Sequence, residues 1–273
     1  MPLKLMYITN NPTIAAIAES CGVDRVFVDM EYIGKEARQG GLDTVKSHHT
    51  VEDVKRVRQV LNKTELLVRI NPIHENTKHE IDDVVDAGAD IIMLPMAKTV
   101  DEIKTFVALV NGRCQTMLLL ETSEARDNIK SMLDVGGIDM VHIGLNDLHL
   151  SYKMKFMFEL LTDGTVEELC NIIKTYNIPY GFGGIARIGF GMLPAEYVIA
   201  EHYRLGSSTA ILSRSFCDIY KMNDVKKIEQ LFKQGISKIR AYENELSNKD
   251  SNYFCKNKDE ITRLVKSIVD NIN

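Results

Sequence analysis

Two acidic residues stand where a chain can place metal ligands. Glu121 closes the run QTMLLLE, and Asp147 lies just past MVHIGL. Each follows an apolar stretch of strand length, and one helical segment lies between them, as in a single β-α-β step. Neighbouring strands would then carry one carboxylate each. A hard cation such as Mg²⁺ accepts a few such oxygens and keeps water and substrate in its other positions. The competing reading makes Glu121 a helix cap and Asp147 a turn residue.

Other candidates follow strand-like runs in the same way. Asp29 and Glu31 come after the second run, Arg69 and Asn71 after the third. The Arg69 guanidinium, in VRINP, offers a planar fork for a carboxylate or phosphate, unless it is spent on an ion pair with Glu31 or another loop acid. Gly144 lets the backbone approach a ligand closely, and the amides after it, including that of Asn146, could bind a substrate carboxylate. The stretch PYGFGGIARIGFG reads either as a phosphate-cradling loop or as a glycine-rich turn for close strand–helix packing. His142 lies within a strand and reads as an interior residue, whereas His149 and Tyr32 fall in loops with better access. Arg187 and Arg214 could add positive charge for an anionic substrate or form surface ion pairs.

The elements that must position these residues alternate regularly. KLMYIT, RVFVDME, LLVRIN, DIIMLPMA, TMLLLE, DMVHIGL, YGFGGI and TAILSRSF read as strands, and most are separated by amphipathic helical stretches, several ending in glycine. Eight such units predict a (β/α)8 TIM barrel over residues 1–220, with its active site at the carboxyl ends of the strands. A doubly wound open sheet is the alternative. Residues 221–273 read as extra C-terminal helices, expected to mediate subunit packing in a homo-oligomer.

Composition bounds the rest. With 273 residues, 45% of them hydrophobic, the chain can bury a large core, and a net charge of −5 provides no basic face for nucleic acid. No segment reaches the roughly 18 continuous apolar residues that a membrane span needs, so a cytoplasmic protein is expected. Cys21, Cys114, Cys170, Cys217 and Cys255 show no CxxC spacing, and neither adjacent His48 and His49 nor His74 and His79 have zinc-ligand helical spacing.

The ordered set VFVDMEY, LLVRINP, DAGADIIMLPMAKTVDEI and LLLETSEARDNIKSMLDVGGIDMVHIGLNDL resembles the HpcH/HpaI aldolase and citrate lyase family, over roughly Val23 to Ser151. The resemblance implies a metal-dependent class II aldolase acting on a small 2-oxo acid such as pyruvate and an aldehyde. It implies Glu121 and Asp147 as ligands of Mg²⁺ or Mn²⁺, and Arg69 as the contact for the substrate carboxylate and oxo oxygen. The family's histidine base falls at Tyr32, one residue after Glu31, and its partner aspartate at Asp86. Family members tend to carry a glycine and an acid where this chain reads LSRSF. A citrate lyase or malyl-coenzyme A type lyase, and a non-catalytic 2-oxo acid binding barrel, are the alternative expectations.

Overall fold

The computed structural model describes residues 2–34, 49–213, 216–217 and 224–272. Eight parallel strands close into a barrel in sequence order, β1 pairing with both β2 and β8. They are β1 (Lys4–Ile8), β2 (Arg25–Asp29), β3 (Glu65–Arg69), β4 (Ile91–Leu94), β5 (Gln115–Leu120), β6 (Met140–Ile143), β7 (Tyr180–Ile185) and β8 (Thr209–Leu212). Helices α1 (Pro12–Ser20), α2 (Val51–Arg58), α3 (Thr77–Asp86), α4 (Val100–Val110) and α5 (Ser123–Leu133) alternate with the first strands. Three helices follow β6: the short α6 (Leu145–Ser151) and α7 (Glu159–Thr162), then α8 (Thr165–Lys174). Helix α9 (Ala195–Leu205) precedes β8, and α10 (Val225–Leu246) and α11 (Ser251–Asn271) end the described chain. This is the TIM barrel expected from the alternation.

The strands are apolar on both faces because both faces are covered. Val26 and Val28, Leu66 and Val68, and Leu118 and Leu120 point outward into the layer shared with the helices. Phe27, Leu67, Met117 and Leu119, one residue out of step, fill the barrel interior together with Met6, Ile91, Met93 and Met140. Continuing that inner series by steps of two leads to Asp29, Arg69 and Glu121 at the carboxyl ends. The candidate site is thus the polar top layer of the barrel's own interior.

A recurring device closes the opposite end. Gly22-Val-Asp24, Gly88-Ala-Asp90 and Gly137-Ile-Asp139 lead into β2, β4 and β6, each glycine with φ between +76° and +92°. Each aspartate amide donates to a residue of the preceding strand, and its carboxylate accepts the amide of that same residue: Leu5 at 2.8 Å, Leu66 at 2.7 Å and Thr116 at 2.7 Å. Three odd-numbered strands thereby gain an acceptor for an amide near their amino ends.

Helix α10 buries Ile228, Phe232, Ile236 and Ile239 in the main core and lies against α1 and α9, filling the eighth helical position of the ring. Its Glu243 accepts the Leu3 amide at 2.6 Å. Helix α11 packs on α9 and α7, where Asn257 donates to the Tyr197 carbonyl at 3.2 Å and Lys258 pairs with Glu167 at 2.8 Å.

Candidate active site

Register places the first ion pair. Asp29 and Arg69 are directly paired across β2 and β3, and the Met30 amide donates to the Arg69 carbonyl just beyond. The guanidinium grips Asp29 with two bonds, Nε to Oδ1 at 2.8 Å and Nη2 to Oδ2 at 2.9 Å, and its Nη2 lies 3.4 Å from Glu31 Oε2. Phe27 lies beneath it, its ring centre 5.6 Å from the guanidinium carbon. Burial alone would lower the Arg69 pKa, but the charges of Asp29 and Glu31 and the Asp29 hydrogen bond hold it above its ordinary value. The ion pair weighed as a competing reading is therefore present, and it leaves Nη1 without a hydrogen-bond partner among the described residues.

Glu121 follows β5 and is buried beside this group. Its Oε1 accepts the Met96 amide at 3.2 Å, and the next residue, Thr122, donates to the Ala97 carbonyl at 3.0 Å while capping α5. The β4–α4 loop is thus tied to the candidate ligand. Met96 adopts φ +54°, a conformation costly for any residue but glycine, to aim that amide. Burial, with the charges of Asp147 and Glu31, drives the Glu121 carboxyl well above its ordinary range, against the opposing pull of Arg69 and the Met96 amide. Asp147 sits half-buried in the first turn of α6. Gly144, just ahead of it, has no room for a side chain: a Cβ there would meet Glu121 Cβ at 2.8 Å, Glu121 Oε2 at 2.9 Å and Leu119 Cδ1 at 3.2 Å. Asn146 shares that first turn, half-buried.

Three carboxylates, Asp29, Glu31 and Glu121, thus act on one guanidinium, and the charge of Asp147 acts on Glu121. A hard divalent cation fits the donor chemistry of Glu121 and Asp147: it would supply positive charge where burial and neighbouring carboxylates disfavour the ionised form of Glu121. Glu121 and Asp147 would supply two ligands, not three. Among the described residues no group of three His, Cys, Asp or Glu side chains is arranged to hold a metal ion, so the remaining positions would fall to water and substrate.

Several expectations need correction. His149 is not a loop residue with access: it lies in α6, buried, its Nδ1 donating to the Leu145 carbonyl at 3.1 Å. The glycines of YGFGGI lie within β7 and do not open a helix; a Cβ at Gly181 would collide with the Thr209 carbonyl and hydroxyl, so close packing of β7 on β8 explains that residue. Asp86 is exposed at the last turn of α3, which leads back toward the amino ends of the strands, away from the carboxyl-end site of its own barrel. Arg187 forms no ion pair among the described residues and stacks on Phe190, 4.1 Å from the ring centre. Arg214 and His48 lie outside the described residues. Tyr32 does have the expected access, with 64% of its surface exposed at the rim. His142 is interior: burial pushes its imidazole down to about 4, and Nε2 donates to the Gly183 carbonyl at 3.1 Å.

Three neighbours of the site have weak sequence signals. His49 accepts the Asp29 amide on Nδ1 at 2.9 Å, which places a proton on Nε2 of the neutral ring; its position next to His48, without metal-ligand spacing, gives no hint of this. Met96 carries no residue-type mark of a left-handed turn. Glu80 reaches back from the first turn of α3 to Asn71, accepting the side-chain amide at 2.7 Å, a pairing hidden by nine residues of separation.

Comparison with known proteins agrees with the fold. The family model HpcH/HpaI aldolase/citrate lyase matches residues 4–159. Proteins named 2-keto-3-deoxy-L-rhamnonate aldolase from Shigella dysenteriae and Escherichia coli O157:H7 are each 26% identical over 168 residues, covering 50% of this chain. The chain spans 57% of the length of these curated relatives. An HpcH/HpaI aldolase structure from Desulfitobacterium hafniense has a TM-score of 0.63 at 16% identity, over 84% of this chain and 93% of its own. A family member from Burkholderia cenocepacia has a TM-score of 0.60 at 14% identity, over 83% and 95% respectively. By the family match over more than half its length, together with the barrel these structures share, the chain belongs to the HpcH/HpaI aldolase/citrate lyase family.

Proposed function

We propose that this chain is a metal-dependent carbon–carbon lyase that cleaves or forms a 4-hydroxy-2-oxo acid from pyruvate, or a related 2-oxo acid, and an aldehyde. The observation that carries the reading is the buried carboxylate Glu121 at the end of β5, packed against Gly144 just ahead of Asp147 and close enough to Arg69 for their charges to interact. In this reading Glu121 and Asp147 hold Mg²⁺ or Mn²⁺, which when bound supplies Lewis-acid polarisation of the 2-oxo carbonyl.

The chain's own residues do the rest. Arg69 keeps one edge of its guanidinium on Asp29 and Glu31 and offers Nη1 to the substrate carboxylate and oxo oxygen. Because its partners fix it, the positive charge stands ready where negative charge develops as the carbon–carbon bond breaks. The backbone after Gly144, at Leu145 and Asn146, begins a helix and can face the carboxylate with free amides. The short α6 is an aid to orientation, not a separate site. Tyr32 stands at the rim, where its phenol can donate a hydrogen bond to the acceptor oxygen or relay a proton through water; with a reference pKa near 10 it is a poor base at neutral pH.

That tyrosine also supports a second reading, a barrel that binds a 2-oxo acid without turning it over. A lyase acting on an acyl-coenzyme A shares the same metal and arginine logic. Residues 221–273 are further proposed to contribute outward faces to subunit contacts, which sedimentation would reveal. A cytoplasmic, small-molecule role accords with the acidic charge and with the finding that no described helix is long and apolar enough to cross a membrane.

The test is exchange of the pyruvate methyl protons in deuterated water, followed by NMR with Mg²⁺ or Mn²⁺ and then with chelator. Metal-dependent exchange, lost in Glu121→Ala, is the expected result. Full exchange in that variant, or in the presence of chelator, would refute the metal assignment. No exchange with metal bound would favour the coenzyme A lyase or the non-catalytic reading, and gain of activity in Tyr32→His would point to the latter.

A further inference from the structure

The rim residue Tyr32 is held by something other than its own side chain. Asn71, buried at the end of β3, accepts both the Tyr32 and the Ile33 amides on Oδ1, each at 3.0 Å. Its orientation is set from behind. Nδ2 donates to Glu80 Oε1 at 2.7 Å, and the Asn71 backbone amide donates to the same carboxylate at 3.1 and 3.3 Å. An asparagine amide can present its oxygen or its nitrogen in either direction, and an acceptor-only carboxylate behind it allows one choice. Glu80 itself is anchored in the first turn of α3, where a negative charge is favoured by the helix.

The loop after β2 is therefore pinned at successive residues. The Glu31 amide donates to Asp29 at 3.2 Å, Glu31 pairs with Arg69, and the next two amides are taken by Asn71. The first two restraints belong to the carboxylate and guanidinium end of the site. The Asn71 restraint begins at Tyr32, whose side chain is exposed in the loop that follows β2 at the carboxyl end of the barrel.

We propose that Asn71, oriented by Glu80, is a positioning residue that fixes the Tyr32 backbone so that this side chain meets the acceptor aldehyde, while pyruvate binding is left to Arg69. The proposal rests on the aldolase reading above. Its chemical signature is a split: loss of the clamp lowers kcat for addition to the aldehyde and leaves KM for pyruvate unchanged.

The test compares Asn71→Ala, Asn71→Asp, Glu80→Gln and the double variant Asn71→Asp/Glu80→Gln, with glycolaldehyde as acceptor probe and amide hydrogen exchange at Tyr32 and Ile33 as a readout that needs no activity. Asn71→Asp sets a second carboxylate against Glu80, whereas the double variant restores one donor and one acceptor across the same gap. We expect protection of both amides to fall at least about tenfold in Asn71→Ala and Asn71→Asp, with a kcat loss of about tenfold or more, and both to return within about threefold in the double variant. Glu80→Gln, which keeps an oxygen for Asn71, should be the mildest single change. Unchanged amide protection in Asn71→Ala would overturn the clamp. Loss of kcat without rescue in the double variant, or a parallel rise in KM for pyruvate, would overturn its role in positioning Tyr32. Pyruvate methyl exchange in the parent separates the two levels: its absence counts against the aldolase reading, while the amide data still decide whether the clamp exists.

Discussion

Gly144→Ala adds one methyl group at a point where the backbone already suits alanine, with φ −81° and ψ 86°. Any effect is therefore steric. The new Cβ would lie 2.8 Å from Glu121 Cβ, 2.9 Å from Glu121 Oε2 and 3.2 Å from Leu119 Cδ1. The carboxylate oxygen can swing aside, but Glu121 Cβ moves only with the end of β5, so the ligand and its Met96 hydrogen bond must shift together. Overpacking of this kind costs about 1–3 kcal/mol of stability. A displacement near 1 Å of a group that positions the reaction costs about 10²-fold in rate, equivalent to about 2.7 kcal/mol of barrier. The assay is metal-dependent exchange of the pyruvate methyl protons, run beside thermal melting. Gly184→Ala on β7 is the control, because a Cβ there finds its nearest neighbours, Ile211 O and Ser213 Cβ, at an ordinary 3.5 Å. Parental exchange and melting in Gly144→Ala would refute the argument that this glycine exists to make room for Glu121.

Three further outcomes follow from the charges. Because Glu121 is held well above its ordinary pKa without a cation, binding of Mg²⁺ should release up to one proton, and metal affinity should rise with pH until the carboxyl is ionised; calorimetry in buffers of different ionisation enthalpy would read it, and zero release across the acidic side of the range would contradict it. Arg69→Met leaves Asp29 and Glu31 buried without their cation and should cost about 3–5 kcal/mol in urea unfolding, part of it recovered by adding Asp29→Asn. Glu19 works against burial by accepting the amides of Asn62, Lys63 and Thr64 and the Asn62 side chain, which hold it at about 2. Its folded pKa lies below the ordinary 4.5, so its stabilisation is complete above that value and disappears as pH falls toward 2. The fall in the urea midpoint over that window should be smaller in Glu19→Gln, and an unchanged slope would remove Glu19 from the account.

The barrel was legible because its signal is local. Runs of four to six apolar residues with helical stretches between them leave a closed parallel sheet as the economical way to cover both strand faces. The step of two that carries Phe27 to Asp29, Leu67 to Arg69 and Leu119 to Glu121 is also written in the chain, and it places those polar side chains at the carboxyl end of the barrel. The Gly-x-Asp device was equally present at Gly22, Gly88 and Gly137, yet three residues are too few to stand out until the hydrogen bonds give them a meaning. The glycines of β7 and His149 misled for the opposite reason: their residue types suggest function, and only the packing around them shows a structural use.

What the sequence by itself determined is the order of elements and the side-chain types at the strand ends, since alternation, apolar runs and pleat parity are properties of near neighbours. Tertiary structure decided which of those side chains meet. Strand register brings Asp29 onto Arg69, forty residues away, and the fold brings Glu80 behind Asn71, the Met96 amide onto Glu121, and the Asp29 amide onto His49. Such pairings depend on distances across the barrel, and the pKa of Glu121 depends on burial and on charges from three other strand ends. Neither quantity exists in a chain until the barrel closes and water is excluded from its top layer.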